Sequence, residues 1–342
     1  MASAGPRSGT VKLAVVGDET LLGRELREVL GDRGSAAVIT AYAATGEGNF
    51  GEDEGEAVYR EPLEAESLRN AHAVIVAGSP EGALKAYGLA KAAGGNTKLV
   101  DCTGHLDDKP EARIVAPLLE PREPEASWLL VMAHPAASAL ALVLSRLAKH
   151  KPIRRAIAHV FEPASERGKR GLSELHEQTS GLLAFKPLKK DVFDAQLSFN
   201  MLSQYGEEAP QKLAAVERRI ETHLATLLSR QNQPSLPMPS LRLIQAPVFH
   251  GYSISLWAEF ESDIRATELG ETLGSAQIEI RGENEEAPTN VGAASQSGLA
   301  VGDIRVDHNN PRAAWFWIVG DNLRLMADAT ADLIASIGAE QR

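Results

Sequence analysis

The amino-acid sequence predicts an α/β protein in two domains, an N-terminal doubly wound parallel sheet followed by an α+β domain. Three observations carry that expectation. Apolar strands and amphipathic helices alternate from the start of the chain to about Met132, the pattern of parallel strands joined by helical crossovers. From Ala133 onward strands and helices still mix, but without strict alternation. The chain has 342 residues, whereas single hydrophobic cores stop growing at ~250–300 residues.

The elements follow in order. "VKLAVVGDETLLGRELREVL" reads as a buried strand, a Gly-containing turn and a helix with leucines at helical spacing, the opening unit of a Rossmann-like sheet. "AAVITAYAA" is a second strand. The acidic, glycine-bearing "EGNFGEDEGEAVYREPLEAESL" reads as a solvated loop. "AHAVIVAG" and "TKLVDCTG" are strands on either side of the helix "PEGALKAYGLAKAAG", which glycine closes. Beyond Ala133 come a helix at "AASALALVLSRLAKH", the segments "IRRAIAHVFEPASE", "GLSELHEQTSGLLAF" and "AQLSFNMLSQYG", and the long helix "PQKLAAVERRIETHLATLLSR". A Pro-rich connector, "QNQPSLPMPS", leads to strands at "SLRLIQAPVFHGYSISLWAEF" and "AQIEIRG". The last helix, "NLRLMADATADLIASIG", has helical apolar spacing and is expected to pack back on the first domain. The domains are therefore drawn at 1–132, with 323–342 returning to it, and at 133–322. The sheet of the second domain is expected to offer a surface for another subunit.

Composition narrows the function. At 44% hydrophobic and 24% charged residues the chain has the makeup of a folded globular protein. A formal net charge of -11 repels nucleic-acid phosphates and anionic membranes, and the basic runs "SERGKR" and "PLKK" are short, so neither partner is expected. The single cysteine excludes an internal disulfide and any cysteine-based zinc site, and the nine histidines lack metal-ligand spacing. The opening "MASAGPRSGT" has no apolar signal core and no run reaches the ~18–20 apolar residues of a membrane span, so it reads as a floppy tail and the cytoplasm is the expected compartment.

The order of segments resembles the aspartate-semialdehyde dehydrogenase family over almost the whole chain. "VVGDETLLGREL" is similar to its Gly-rich cofactor loop, and "AHPAAS" to its Asn-Pro-x-Cys-Ser turn. "ASERGKRGLSELHEQT" resembles its Ser-Gly-Ala-Gly stretch, and "SFNMLSQ" its Phe-Asn-x-x-Pro-Gln segment. "APVFHGYSISLWAEFE" resembles its Val-Pro-Val-x-Arg-Gly-His strand, and "VGDIRVD" with "WFWIVGDNLRLMADATADLI" its ending. The resemblance implies a cysteine thiolate that forms a thioester, a histidine that moves protons, arginines that grip substrate carboxylate and phosphate, and NADP as hydride carrier.

At the positions the resemblance assigns to those roles, this chain carries other residues. Ala137 stands for the cysteine, and a methyl group attacks nothing. Ser138 follows it; without a base its hydroxyl stays protonated, and the plainer reading is a serine satisfying backbone N–H groups at a helix start. Tyr252 stands for the histidine and His250 for the arginine; a phenol is a poor proton shuttle at neutral pH, and an imidazole does not reproduce a bidentate clamp. If the segment is a strand, His250 shares a face with Tyr252 and is open to recruitment as a base. Asp107 stands for the phosphate-binding arginine and Glu162 for a glutamine, while Glu166 and Arg167 put bulk where the family has glycines.

On the cofactor side Gly17 and Gly23 remain, Thr20 replaces the middle glycine beside Asp18 and Glu19, and Ala43 and Glu47 replace the residues that hold the 2'-phosphate. NADP is disfavoured, NAD binding stays open, and Asn322 matches the family's asparagine near the nicotinamide. Cys102 ends a strand and reads as a packing residue, with a displaced nucleophile as the alternative. Taken together, these substitutions predict a catalytically degenerate, non-enzymatic protein that forms a homodimer or pairs with an active relative. The alternative is an NAD(P)-dependent semialdehyde dehydrogenase of amino-acid biosynthesis with altered catalytic residues.

Overall fold

The computed structural model describes residues 11–34, 37–53, 56–119, 127–231 and 236–340. The N-terminal tail, positions 54–55 of the acidic segment and positions 232–235 of the Pro-rich connector lie outside the described residues. The chain forms two compact units, Met1–Ala133 with Met326–Arg342, and His134–Leu325.

The first unit contains β1 (Val11–Val16), α1 (Leu21–Asp32), β2 (Ala37–Tyr42), β3 (Asn49–Asp53), β4 (Glu56–Arg60), α2 (Ala65–Arg69), β5 (Ala73–Val76), α3 (Pro80–Ala92), β6 (Lys98–Asp101), β7 (Ala112–Val115) and β8 (Leu129–Met132). Six strands pair in parallel in the order β2-β1-β5-β6-β8-β7. Alternation along the strands sends side chains to both faces, and each face is covered. Leu13, Val15, Ile75, Val100 and Leu130 pack with α1 and with Met326, Ala327, Ile334 and Ile337 of the C-terminal helix. On the other face Ala14, Val16, Val74, Val76 and Leu99 pack with Leu68 of α2 and Ala83, Ala86 and Ala90 of α3. Arg33, just past α1, binds Asp328 and Asp332 at 2.7 Å each, one helical turn apart on the C-terminal helix.

The acidic segment is not a loop. β3 and β4 form an antiparallel hairpin, and α2 follows. Its last strand residue, Arg60, is only 2% exposed, because it meets a buried carboxylate 42 positions away. That burial is set by a tertiary partner and has no local signature.

The second unit contains α4 (Pro135–His150), β9 (Ile153–Glu162), α5 (Gly168–Leu183), α6 (Leu213–Arg230), β10 (Ser240–Gln245), β11 (Tyr252–Phe260), α7 (Ala266–Leu273), β12 (Ile278–Ile280), α8 (Asn290–Ala293), β13 (Leu299–Asp307) and β14 (Asn310–Gly320). The final helix, α9 (Asn322–Glu340), starts here and ends in the first unit. The six-stranded sheet has the order β10-β9-β11-β14-β13-β12, with β9/β10 and β12/β13 parallel and the other pairs antiparallel. α4 packs on β9, α6 on β10 and α7 on β12 and β13. α6 supplies Leu213, Val216, Ile220, Leu224 and Leu227 from one stripe, at the spacing expected of a helix facing a sheet.

The stretch between α5 and α6 has little regular structure and is fastened by two buried polar side chains of α5. Glu174 accepts from Val192 N and Phe193 N at 2.6 and 3.2 Å. Gln178 accepts from Leu197 N and Ser198 N at 2.7 and 3.1 Å, and donates to Lys189 O and Ala195 O at 2.8 and 3.0 Å.

The second face of this sheet is open. Ile157, Trp257 and Trp315 lie side by side in one cross-strand row, and Ile157 and Trp315 are 40% and 36% exposed. Phe161 and Trp317 extend the patch with ring centroids 6.1 Å apart. The indole N–H groups are satisfied locally, Trp257 and Trp315 by Asp307 at 2.8 and 3.2 Å and Trp317 by Pro288 O at 3.0 Å, which leaves ring faces for contact. No helix among the described residues is long and apolar enough to cross a membrane.

Gly17 fixes the first turn. Its φ is +91° and an added Cβ would lie 2.5 Å from Gly78 Cα, so both the conformation and the space require glycine. Gly17→Ala is expected to lower unfolding free energy by about 1–3 kcal/mol in a denaturant titration. Gly88→Ala, inside α3 with nothing within 4 Å of the new Cβ, is expected to raise it by about 0.5–1 kcal/mol.

Candidate functional site

The side chains that bear on function in the second unit gather on the covered face, at one end of the sheet. β9 and β10 run parallel in register and end at Glu162 and Gln245. β11 runs the other way and begins at Tyr252. β14 ends nearby and α9 starts with Asn322, after Asp321 has capped it by accepting from Leu323 N and Arg324 N at 2.9 and 3.0 Å. A 3-10 turn at Ala164–Arg167 follows β9 and turns Arg167 back on Glu162.

Two hydrogen-bonded networks result. In the first, Arg167 Nη2 donates to Glu162 Oε1 in a buried ion pair. Tyr205 donates to Gln245 Oε1 at 2.5 Å, lies 3.3 Å from Glu162 Oε1, and receives Arg167 Nε at 3.3 Å. Gln245 Nε2 donates to Glu162 O at 2.8 Å. Glu162 Oε2 is buried and has no hydrogen-bond partner. In the second network, Asn322 uses both ends of its amide. Oδ1 accepts from Ser165 Oγ and Gly251 N at 3.1 Å each, and Nδ2 donates to Glu166 Oε1 at 2.8 Å.

His134 caps α4: its Nδ1 accepts from Ala136 N at 3.3 Å, while His223 Nδ1 accepts from His134 N at 3.0 Å. Its Nε2 stands 3.4 Å from the Tyr252 hydroxyl, with the rings edge to face at 5.7 Å. Ala137 and Ser138 sit in the first turn behind this cap, both buried. The expectation that Ser138 serves the helix start is corrected, since the side-chain cap is His134 and Ser138 N makes an ordinary backbone bond to His134 O at 3.0 Å.

Burial, helped by nearby Arg219, His223 and Arg167, pushes the His134 imidazole well below its ordinary value, so the ring is neutral at pH 7. Burial, reinforced by Glu166 and Glu162, holds the Tyr252 phenol well above its usual range. Burial opposes the charge on Arg167, and the Glu162 carboxylate more than offsets it. For Glu162 itself burial wins over the pull of Arg167 and lifts the carboxyl to about 7. His134 and Tyr252 are thus neutral at pH 7, while Glu162 is held beside Arg167.

The remaining expected residues are dispersed. His250 does not share a strand face with Tyr252, because β11 starts at Tyr252 and Gly251, at φ +82°, interrupts the alternation. Asp107 lies in a turn after β6 and Cys102 just before it, both in the first unit. Cys102 is buried, its sulfur 3.3 Å from Thr330 Oγ1, and burial raises its thiol to about 12. Thr20 caps α1 by accepting from Gly23 N at 3.0 Å. Among the described residues no group of three or more His, Cys, Asp or Glu side chains is placed to hold a metal ion. Sequence reasoning missed Tyr205, Gln245, His134 and His223. Gln245 and His223 carried a readable signal, being polar residues at core positions of a strand and of a helical stripe.

A family model described as "Semialdehyde dehydrogenase, dimerisation domain" matches residues 144–325. A USG-1 protein homolog from Pseudomonas aeruginosa is 30% identical over 252 residues, 72% of this chain and 73% of the relative. An aspartate-semialdehyde dehydrogenase from Prochlorococcus marinus is 24% identical over 95% of each chain. Among solved structures, a probable aspartate-semialdehyde dehydrogenase from Pseudomonas aeruginosa superposes with a TM-score of 0.80 at 27% identity, covering 95% of this chain and 97% of that one. A Vibrio cholerae aspartate semialdehyde dehydrogenase II superposes at 0.82 with 23% identity over 97% and 99%, a likeness of fold. With the dimerisation-domain model matched over more than half of this chain, the chain belongs to the semialdehyde dehydrogenase family, with relatives named USG-1 homolog and aspartate-semialdehyde dehydrogenase.

Proposed function

We propose that the protein is a catalytically silent member of its family that acts as a dimeric, partner-binding protein. The observation that supports this best is that the cation and the amide at the end of the second sheet are engaged by carboxylates of the chain itself. Arg167 is bound to Glu162, Asn322 to Glu166, and the first turn of α4 carries Ala137 with no thiol in the unit. A working site of this kind needs a nucleophile, a proton carrier and an unengaged cation at one point; here the only cysteine is buried and protonated, and Tyr252 holds its proton. Losing such groups together removes several kcal/mol of transition-state stabilisation for each, enough to abolish turnover. A lone, reduced cysteine also fits the cytoplasm.

The dimer is assigned to the open sheet face. A two-fold pairing would bring the row Ile157, Trp257 and Trp315 of one protomer against the same row of its partner, burying aromatic area of the type that dominates interface energetics. A closely related active chain would be accepted by the same face, which is the heterodimeric form of this reading.

Two measurements test it. Aspartate semialdehyde oxidation in phosphate buffer, followed by reduction of NADP or NAD at high protein concentration, is expected to stay at the protein-free background. It is expected to stay there in Ala137→Cys as well, because Arg167 and Tyr252 remain committed. Turnover that disappears in Cys102→Ser would instead make that thiol the nucleophile and overturn the reading. Sedimentation velocity is expected to give twice the mass of one chain, and Trp315→Glu is expected to raise the dimer dissociation constant by about tenfold or more; a monomeric parent protein would contradict the assignment.

A further inference from the structure

The family's dinucleotide would set its pyrophosphate against the turn between β1 and α1, where a helix N-terminus offers backbone N–H groups to an anion. The residues of this turn do not fit that group. Glycine is kept only where backbones touch. An added Cβ at Gly17 would lie 2.5 Å from Gly78 Cα, and one at Gly23 would lie 2.1 Å from Gly17 O. The middle position, where an absent side chain would admit a phosphate, is Thr20. Its hydroxyl accepts from Gly23 N at 3.0 Å and lies 2.8 Å from both Gly17 O and Ala77 O, so a donor of the helix start is already satisfied from within.

The turn also contains its own anion. Asp18 is 3% exposed and receives Arg60 through Nε at 2.6 Å and Nη2 at 3.1 Å, the parallel two-point contact that a guanidinium makes with a carboxylate or a phosphate. Arg60 arrives from the end of the β3–β4 hairpin and lies 3.8 Å from Glu19 Oε2, while Arg27 of α1 lies 3.9 Å from Asp18 Oδ2. Glu19 Oε1 accepts from Ala44 N at 2.8 Å, reaching the loop after β2, the region that reads the adenosine ribose in folds of this type. The chain therefore places two carboxylates and a guanidinium at the turn and toward the loop after β2, the positions where this fold receives pyrophosphate and ribose.

We infer that Asp18, clamped by Arg60 from the hairpin, is a built-in replacement for the dinucleotide pyrophosphate, and that this unit keeps its doubly wound sheet without binding NAD or NADP. The inference is independent of the missing nucleophile in the second unit. It also gives the hairpin a purpose: it carries the counter-charge that makes a buried aspartate tolerable when no ligand is there to use the turn.

Isothermal titration of the full chain with NAD and with NADP tests this. No saturable binding tighter than about 1 mM is expected for the parent protein. Asp18→Ser/Glu19→Ser removes the internal anions and leaves Arg60 pointing at the turn. That variant is expected to bind NAD or NADP about tenfold or more tighter than the parent, with its fold verified by circular dichroism and a cooperative melt. If the double variant does not fold, the isosteric Asp18→Asn serves for the same comparison. Binding by the parent tighter than that limit overturns the inference, and so does a folded variant that binds no better than the parent.

Discussion

A carboxylate taken out of water needs a cation or donors within reach, and the structure meets that constraint at a strand end in each unit. In the second, Glu162 ends β9 fully buried, and the 3-10 turn that follows brings Arg167 onto it five positions later. In the first, Asp18 is buried at the head of α1, and a hairpin returns Arg60 to it. Breaking either pair by removing one partner would leave an uncompensated charge in a low-dielectric interior, about 3–5 kcal/mol worse than the intact pair. The local backbone is built around the pairing in both places.

That constraint connects fold to function. A cation already holding a protein carboxylate is unavailable to a substrate carboxylate or phosphate, and an amide already bridging Ser165, Gly251 and Glu166 is unavailable to a cofactor. The same strands that close the site on one side carry the aromatic row on the other. Alternation along β11 sends Tyr252 and Leu256 to the covered face and Trp257 to the open one. One sheet thus carries the buried polar network on one side and an open aromatic row on the other, the division on which the proposed interaction role rests.

Much of this was legible in the sequence, because it rests on periodicity. Strand–helix alternation gave β1, α1, β2, β5, α3 and β6, and the apolar stripe of α6 and the strands β10 and β11 fell where their patterns indicated. The hairpin was hidden because its strands are acidic and glycine-bearing, and the burial of Arg60 depends on Asp18, 42 positions earlier. His250 was misjudged because a face argument assumes continuous strand geometry, and Gly251 at φ +82° breaks it. At α4 the sequence favours Ser138 as capper, serine being the commoner one, but His134 holds the N-cap position itself. The substitutions at Ala137 and Tyr252 were visible in the chain; that Glu162 and Arg167 engage each other was not, since pairing of that kind is a property of the turn between them.

The claim that the site is closed on itself is tested most directly by the pH dependence of unfolding free energy in the parent protein and in Glu162→Gln. Buried, Glu162 has its carboxyl raised from 4.5 to about 7, so between those values the native state binds the proton more tightly than the unfolded chain. Stability from this group is therefore complete below about pH 4.5 and is lost as pH rises through about 7. His134, neutral when buried, slopes the opposite way below 6.5 but is common to both proteins and cancels in the difference. The parent is expected to lose stability relative to Glu162→Gln over that window, by an amount on the order of 3 kcal/mol, and to level off above it. A difference that does not change with pH would mean that the native and unfolded chains bind the Glu162 proton equally, and would contradict a carboxyl whose burial outweighs the pull of Arg167.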